Sequence, residues 1–385
     1  MINRRALTSL PAAARALAWG TGLLAAALLA GCAAGSARPK PADLPPNEAL
    51  VGVRQAWTAR IPAVQLPLQV SVHGQQVTLA GSDGTVVTLD ASNGAELGRA
   101  SAGDALSAGV GSDGRMSAVV TRANQVVALE GGRELWRRRL PTQSYTAPLV
   151  AGGRVFVLGA DRSLIALDGQ SGQLLWNVQR PAEPLVLRQA GLLMAVGNTL
   201  VAGMAGRMVG VDPDDGSVRW EAPLAAARGT NDVERLIDLV GGVRRQNGVV
   251  CARAFQAAVG CVDASSGNVA WTRPANGATG VAGDDERVYG AESDGRVLAW
   301  NAASGERAWA SERLKWRYLT APLVLGRSVI MGDSTGLVHM LSREDGRPLN
   351  RMNTDSSGIA ATPVVAGNTL VVVTRNGGVY GFVPE

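Results

Sequence analysis

Short apolar runs broken by turn dipeptides repeat along most of the chain, and within each repeat the order of elements is constant. A Thr-Ala-Pro-Leu-Val type strand comes first (Thr146 to Val150, Thr320 to Val324, Thr362 to Val365), followed by an apolar strand such as Val155 to Leu158. A tight turn follows, as at Ser82-Asp83-Gly84, Asp294-Gly295 and Asn376-Gly377, the dipeptides that hairpins favour. The next strand ends in an acid. A second turn then places a glycine where positive φ is required, and a fourth strand carries tryptophan.

The clearest copies run from Leu167-Asp168 through Gly172 to Trp176, Val211-Asp212 through Gly216 to Trp220, Val262-Asp263 through Gly267 to Trp271, and Trp300-Asn301 through Gly305 to Trp309. Degenerate copies span Leu89-Asp90 to Gly98, Leu129-Glu130 to Trp136 and Leu341-Ser342 to Asn350, and a half-copy ends at Gly381-Phe382. The marker residues at 89, 129, 167, 211, 262, 300, 341 and 382 are spaced by 40, 38, 44, 51, 38, 41 and 41 residues. That period predicts an all-β, eight-bladed β-propeller of four-stranded antiparallel blades. The last unit lacks its tryptophan strand, whereas Ala56 to Arg60 precedes the first full unit. The N-terminal strand is therefore expected to complete the last blade, which closes the ring and removes open sheet edges.

Composition agrees. Apolar residues make up 46% of the 385, aromatics only 4%, and there are 48 glycines, which suits short strands and tight turns better than long helices. The N-terminus has a different pattern: Arg4, Arg5 and Arg15 precede an apolar run from Ala16 that ends at Leu29-Ala30-Gly31-Cys32. It is too short and wrongly flanked for a membrane span and reads as a signal peptide over 1–31. Its last four residues resemble the lipobox of bacterial lipoproteins, which implies lipidation of Cys32 and acyl chains as a stable anchor. Ala33, where an aspartate would signal retention, implies the outer membrane. The stretch 32–48, with Pro39, Pro41, Pro45 and Pro46, reads as the lipidated cysteine and a flexible tether, leaving 49–385 as the propeller. Removing the signal lowers the formal charge from +5 to +2, which gives a nucleic-acid partner no support.

Candidate chemistry is sparse. Cys251 and Cys261 flank an expected hairpin turn near Gln256 in an oxidising compartment. An odd loop count faces them toward each other as a disulfide; an even count sends them to opposite faces as inert thiols. His73 and His339 are isolated and in no ligand spacing. Asp284-Asp285-Glu286 and Asp214-Asp215 fall in polar turns, where solvated loops are expected rather than acid/base or calcium sites. No catalytic set, cofactor or metal site is expected, so the chain reads as a non-enzymatic, monomeric binding protein.

The Asp-x-x-x-Gly-x-x-x-Trp units resemble quinoprotein-type propellers. Pyrroloquinoline-quinone dehydrogenases share the repeat but are longer and carry vicinal cysteines, which this chain lacks. Over lipobox, size and eight repeats the chain resembles the BamB family, lipoproteins of the outer-membrane β-barrel assembly machine. That resemblance implies a scaffold on the periplasmic face of the outer membrane that binds the POTRA domains of BamA and aids insertion of β-barrel proteins, with unfolded precursors as a further possible partner. Leu185-Val186-Leu187-Arg188 resembles the family's Leu-x-Leu-Arg contact segment, implying partner contacts by Leu185, Leu187 and Arg188. Glu234 to Val240 resembles its Arg-Leu-x-Asp-Val-Asp segment, implying contacts by Arg235 and Asp238; Val240 stands where the second aspartate is expected. Both segments fall in the two longest spacings, 44 and 51, which places them on neighbouring loops of one face. The alternatives are a periplasmic propeller that senses or binds another ligand, and a degenerate quinoprotein.

Overall fold

The computed structural model describes residues 39–180, 185–226 and 236–385. Cys32, the signal sequence and Arg235 lie outside the described residues. Eight four-stranded antiparallel sheets are arranged as the blades of a β-propeller. Blade 1 spans Ser71–Ser101, blade 2 Leu106–Arg139, blade 3 Leu149–Val178, blade 4 Leu193–Pro223, blade 5 Leu239–Pro274, blade 6 Val281–Ser311 and blade 7 Leu323–Asn353. Blade 8 takes three strands from Val364–Pro384 and its outermost from Val53–Arg60. That closing strand pairs along its length with Gly378–Pro384, Val53 opposite Pro384 and Arg60 opposite Gly378.

The first strands of neighbouring blades meet at the centre, as Leu239–Gln246 meets Val281–Gly283, so each fourth strand lies at the circumference. Burial follows this placement. Middle strands are covered on both faces by adjacent blades and read as continuous apolar runs, as in Arg154–Leu158 and Leu164–Asp168. Outer strands alternate; in Val218–Pro223 only Trp220 and Ala222 are buried.

The repeat residues join one blade to the next. Each tryptophan lies on the second turn of the following blade and donates its indole N–H to a carbonyl there: Trp57 to Ala91, Trp136 to Gly169, Trp176 to Pro213, Trp220 to Ala264, Trp271 to Ala302 and Trp309 to Arg343. The repeat glycine is the seat. Gly216 has φ +79°, and a Cβ there would lie 2.8 Å from the Trp176 ring, so a side chain is excluded both by backbone and by the approaching indole.

Two blades lack the tryptophan, and in both the next blade lacks the seat. Blade 1 has Gly98 at that position, facing the short Gly131-Gly132 turn of blade 2. Blade 7 has Asn350, because the third and outer strands of blade 8 come from opposite ends of the chain and no turn joins them. Asn350 donates instead to the carbonyl of Val51, at 2.6 Å.

That bond belongs to a strap, residues 42–51, laid along the outer edge of blade 7. Ala42 N–H donates to Lys315 O at 2.9 Å, Asn47 Nδ2 to Asn350 Oδ1 and Arg351 O, and Leu50 N–H to Leu349 O. Leu44 packs against the core between blades 6 and 7. The folded unit begins at Ala42, so the expected tether boundary after residue 48 moves upstream. A proline-rich run suggests a tether, but this one has carbonyls and apolar side chains that blade 7 can satisfy.

Candidate functional site

The two surplus connections lie on one rim, because both join the outer strand of one blade to the inner strand of the next. Residues 185–191 lead into blade 4 and 236–238 into blade 5. The segments touch directly. Gly191 and Val240 form an antiparallel bridge, Leu192 N–H donates to Leu239 O at 3.2 Å, and Gly241 N–H donates to Ala190 O at 2.7 Å.

Asp238 holds the upper part of the pair. Its Oδ2 accepts the Leu187 N–H at 3.0 Å, and its Oδ1 lies 3.5 Å from Arg162 Nη2. Burial pushes the Asp238 carboxyl above its ordinary value, and the Leu187 amide and Arg162 only partly offset this. Asp238 therefore positions the Leu185–Arg188 segment rather than projecting toward a partner. Leu185 is 40% exposed, Leu187 is half-buried, and Arg188 is exposed with its guanidinium 5.9 Å from the Tyr145 ring centroid. An apolar side chain beside a cation stacked on an aromatic ring is the chemistry of an anchor in a protein interface. A cavity beneath this segment is lined by Tyr145, Arg162, Leu187 and Asp238.

Val240, the residue in place of the second expected aspartate, is buried and stands second in the inner strand of blade 5, opposite Arg253. It presents nothing to a partner. Arg162, not foreseen from the sequence, is 4% exposed and has φ +61°. It occupies the turn position that Gly84, Gly295, Gly336 and Gly377 hold in other blades. A long charged residue at a glycine position is the signal that could have found it.

The cysteines lie elsewhere, within blade 5. Three residues, Phe255 to Ala257, form the hairpin loop, so Cys251 and Cys261 fall directly opposite each other, with their sulfurs 1.97 Å apart as a disulfide. Both are buried in the core between blades 5 and 6. Asp284 and Asp214 are engaged in ion pairs with Arg343 and Arg154. Among the described residues no group of three or more histidine, cysteine and acidic side chains converges as for a metal ion.

Comparison with known proteins gives this arrangement a family. A family model described as outer membrane protein assembly factor BamB matches residues 82–311. The outer membrane protein assembly factor BamB of Burkholderia pseudomallei is 39% identical over 353 residues, covering 91% of this chain and 93% of the relative. In fold, the crystal structure of BamB from Moraxella catarrhalis superposes with a TM-score of 0.79 at 24% identity, over 86% of this chain and 99% of that one. Quinohemoprotein alcohol dehydrogenase from Comamonas testosteroni superposes at 0.67 with 14% identity, over 91% and 81%, a likeness of fold alone. The family model spans more than half of the chain and the Burkholderia relative nearly all of it, so the chain belongs to the BamB family of outer membrane protein assembly factors.

Proposed function

We propose that this assembly factor is a non-enzymatic scaffold. It is anchored in the outer membrane through lipidated Cys32 and docks on the POTRA domains of BamA by the rim that carries Leu185, Leu187 and Arg188. The observation that carries the reading is the Leu187 N–H to Asp238 bond, which ties the two surplus connections into one surface while leaving Leu185 and Arg188 free to make contacts. Docking needs no cofactor, only a rigid rim of apolar and cationic groups, and the packed blades beneath supply that rigidity. Arg235, outside the described residues, is the further contact that the family resemblance implies, and Asp238 acts by positioning.

The test is recovery of BamA from detergent-solubilised membranes by the wild-type lipoprotein and by a Leu187→Glu, Arg188→Ala variant that retains the wild-type circular dichroism spectrum. Loss of BamA with the variant alone supports the docking rim. Equal recovery moves the interface elsewhere, and no recovery with either protein favours the reading of a propeller that binds a different ligand.

A further inference from the structure

The strap crosses blade 7 from one rim to the other. At its downstream end, Leu50 O accepts from Arg327 Nη2 at 2.7 Å; Arg327 lies in the turn between the first and second strands of the blade. At its upstream end, Ala42 O accepts from Arg317 Nη2 at 2.6 Å, and Ala42 N–H bonds Lys315. Lys315 and Arg317 belong to the connection from the outer strand of blade 6 to the inner strand of blade 7, the same class of connection as residues 185–191. The chain upstream of Ala42 therefore joins the folded unit on the rim that carries the docking segments.

The surface at that point has a particular composition. Tyr318 is 54% exposed, Arg313 is exposed, and Trp316 and Lys315 are half-buried, all within one short connection; Glu312 pairs with Lys315 at 2.8 Å. Arg313 is left as a free cation among the described residues. An exposed tyrosine and a half-buried tryptophan beside a free cation suit the headgroup layer of a bilayer, where amphipathic rings and basic side chains are favoured. Cys32 precedes Ala42 by ten residues, a span of at most about 36 Å even fully extended.

We propose that the connection from Glu312 to Leu319 is a membrane-contacting lip, and that the 42–51 strap holds it against the leaflet in which Cys32 is anchored. The occupant is a lipid surface with anionic headgroups. This inference rests on the lipid anchor proposed above. It also turns the docking rim toward the membrane.

The test uses the full-length lipidated protein in phosphatidylglycerol-containing vesicles that carry a headgroup quencher. With Cys251 and Cys261 joined and Cys32 acylated, a single introduced cysteine takes the fluorophore. Glu312→Cys reports on the lip, and Glu344→Cys on the opposite rim of blade 7. The expected result is several-fold stronger quenching at 312 than at 344, with the contrast reduced by Tyr318→Ser combined with Arg313→Glu. An Asn47→Ala, Asn350→Ala variant, which removes the strap's side-chain bonds to blade 7 without touching the lip, is expected to reduce it as well. Protein that floats with the vesicles but is quenched equally at both sites overturns the lip and leaves the anchor standing. Protein that fails to float overturns the anchor and the lip with it. Loss of contrast on changing the lip but not the strap overturns the strap's part.

Discussion

Two aspartates on the same rim, Asp333 in blade 7 and Asp238 at the entry to blade 5, both face a buried arginine, yet their surroundings differ. Asp333 is 1% exposed and accepts from Arg317 at 3.0 Å, His339 Nε2 at 2.9 Å, the Thr335 amide and hydroxyl, and the Leu337 amide. Burial alone would raise its pKa, but the bonds from His339, Thr335 and Leu337 together hold it well below the ordinary carboxylate range. Asp238 has one amide at 3.0 Å and one arginine at 3.5 Å, and there burial prevails. A fully bonded buried carboxylate stabilises the fold, whereas a partly bonded one on a surplus connection is a seat that leaves its segment able to adjust, as the proposed docking requires.

The largest effect expected from this contrast is at Asp333. Asp333→Ala leaves Arg317 Nη1 and His339 Nε2 buried without their acceptor, and loss of one partner of a buried pair costs about 3–5 kcal/mol. Urea unfolding should show that loss in the whole domain, with BamA recovery intact in the protein that remains folded. Asp238→Ala should cost less, about 1–3 kcal/mol for the unsatisfied Leu187 amide and Arg162. Its effect should be local, with hydrogen exchange quickening in residues 185–191 while the blades stay protected. Equal global losses in the two variants would erase the distinction between seat and strut.

The contrast also shows which features the sequence displays. Blade number, closure by the Trp57 strand and the meeting of the two longest spacings on one rim are legible, because each repeat encodes its own turns and strands locally. The partners of particular side chains are less so. Asn47 meets Asn350 across 303 residues, and proline content alone cannot show that contact, so composition extends the tether past Ala42. Arg162 hides in a turn that carries glycine in four other blades, and Asp238 matches a contact motif although its carboxylate points inward to Leu187. A motif match names positions; burial decides which of them reach the surface.

Acid titration tests the same contrast with the smallest perturbation, since no atom is replaced. Asp333 has a folded pKa below its unfolded value, so the stability it contributes is present above the unfolded pKa and is lost as pH falls through the folded one. His339, lowered chiefly by burial, adds to this: the unfolded state takes its proton first, so stability falls as pH drops below about 6.5. Asp238 has the opposite sign. Its folded pKa is raised, so the folded state takes up a proton before the unfolded one, and this group gains stability as pH falls through its folded value. Protonation changes the acceptor that Leu187 faces, so the Leu187 amide should sense Asp238 taking its proton while the blade 7 cluster is still ionised. Carboxyl-carbon NMR of aspartate-labelled protein should show Asp238 titrating above the ordinary aspartate midpoint and Asp333 below it, with the Leu187 amide resonance moving in step with Asp238. If Asp333 took its proton first, the seat would lie in blade 7, and the partly bonded carboxylate beneath Leu187 would lose its claim to positioning the docking segment.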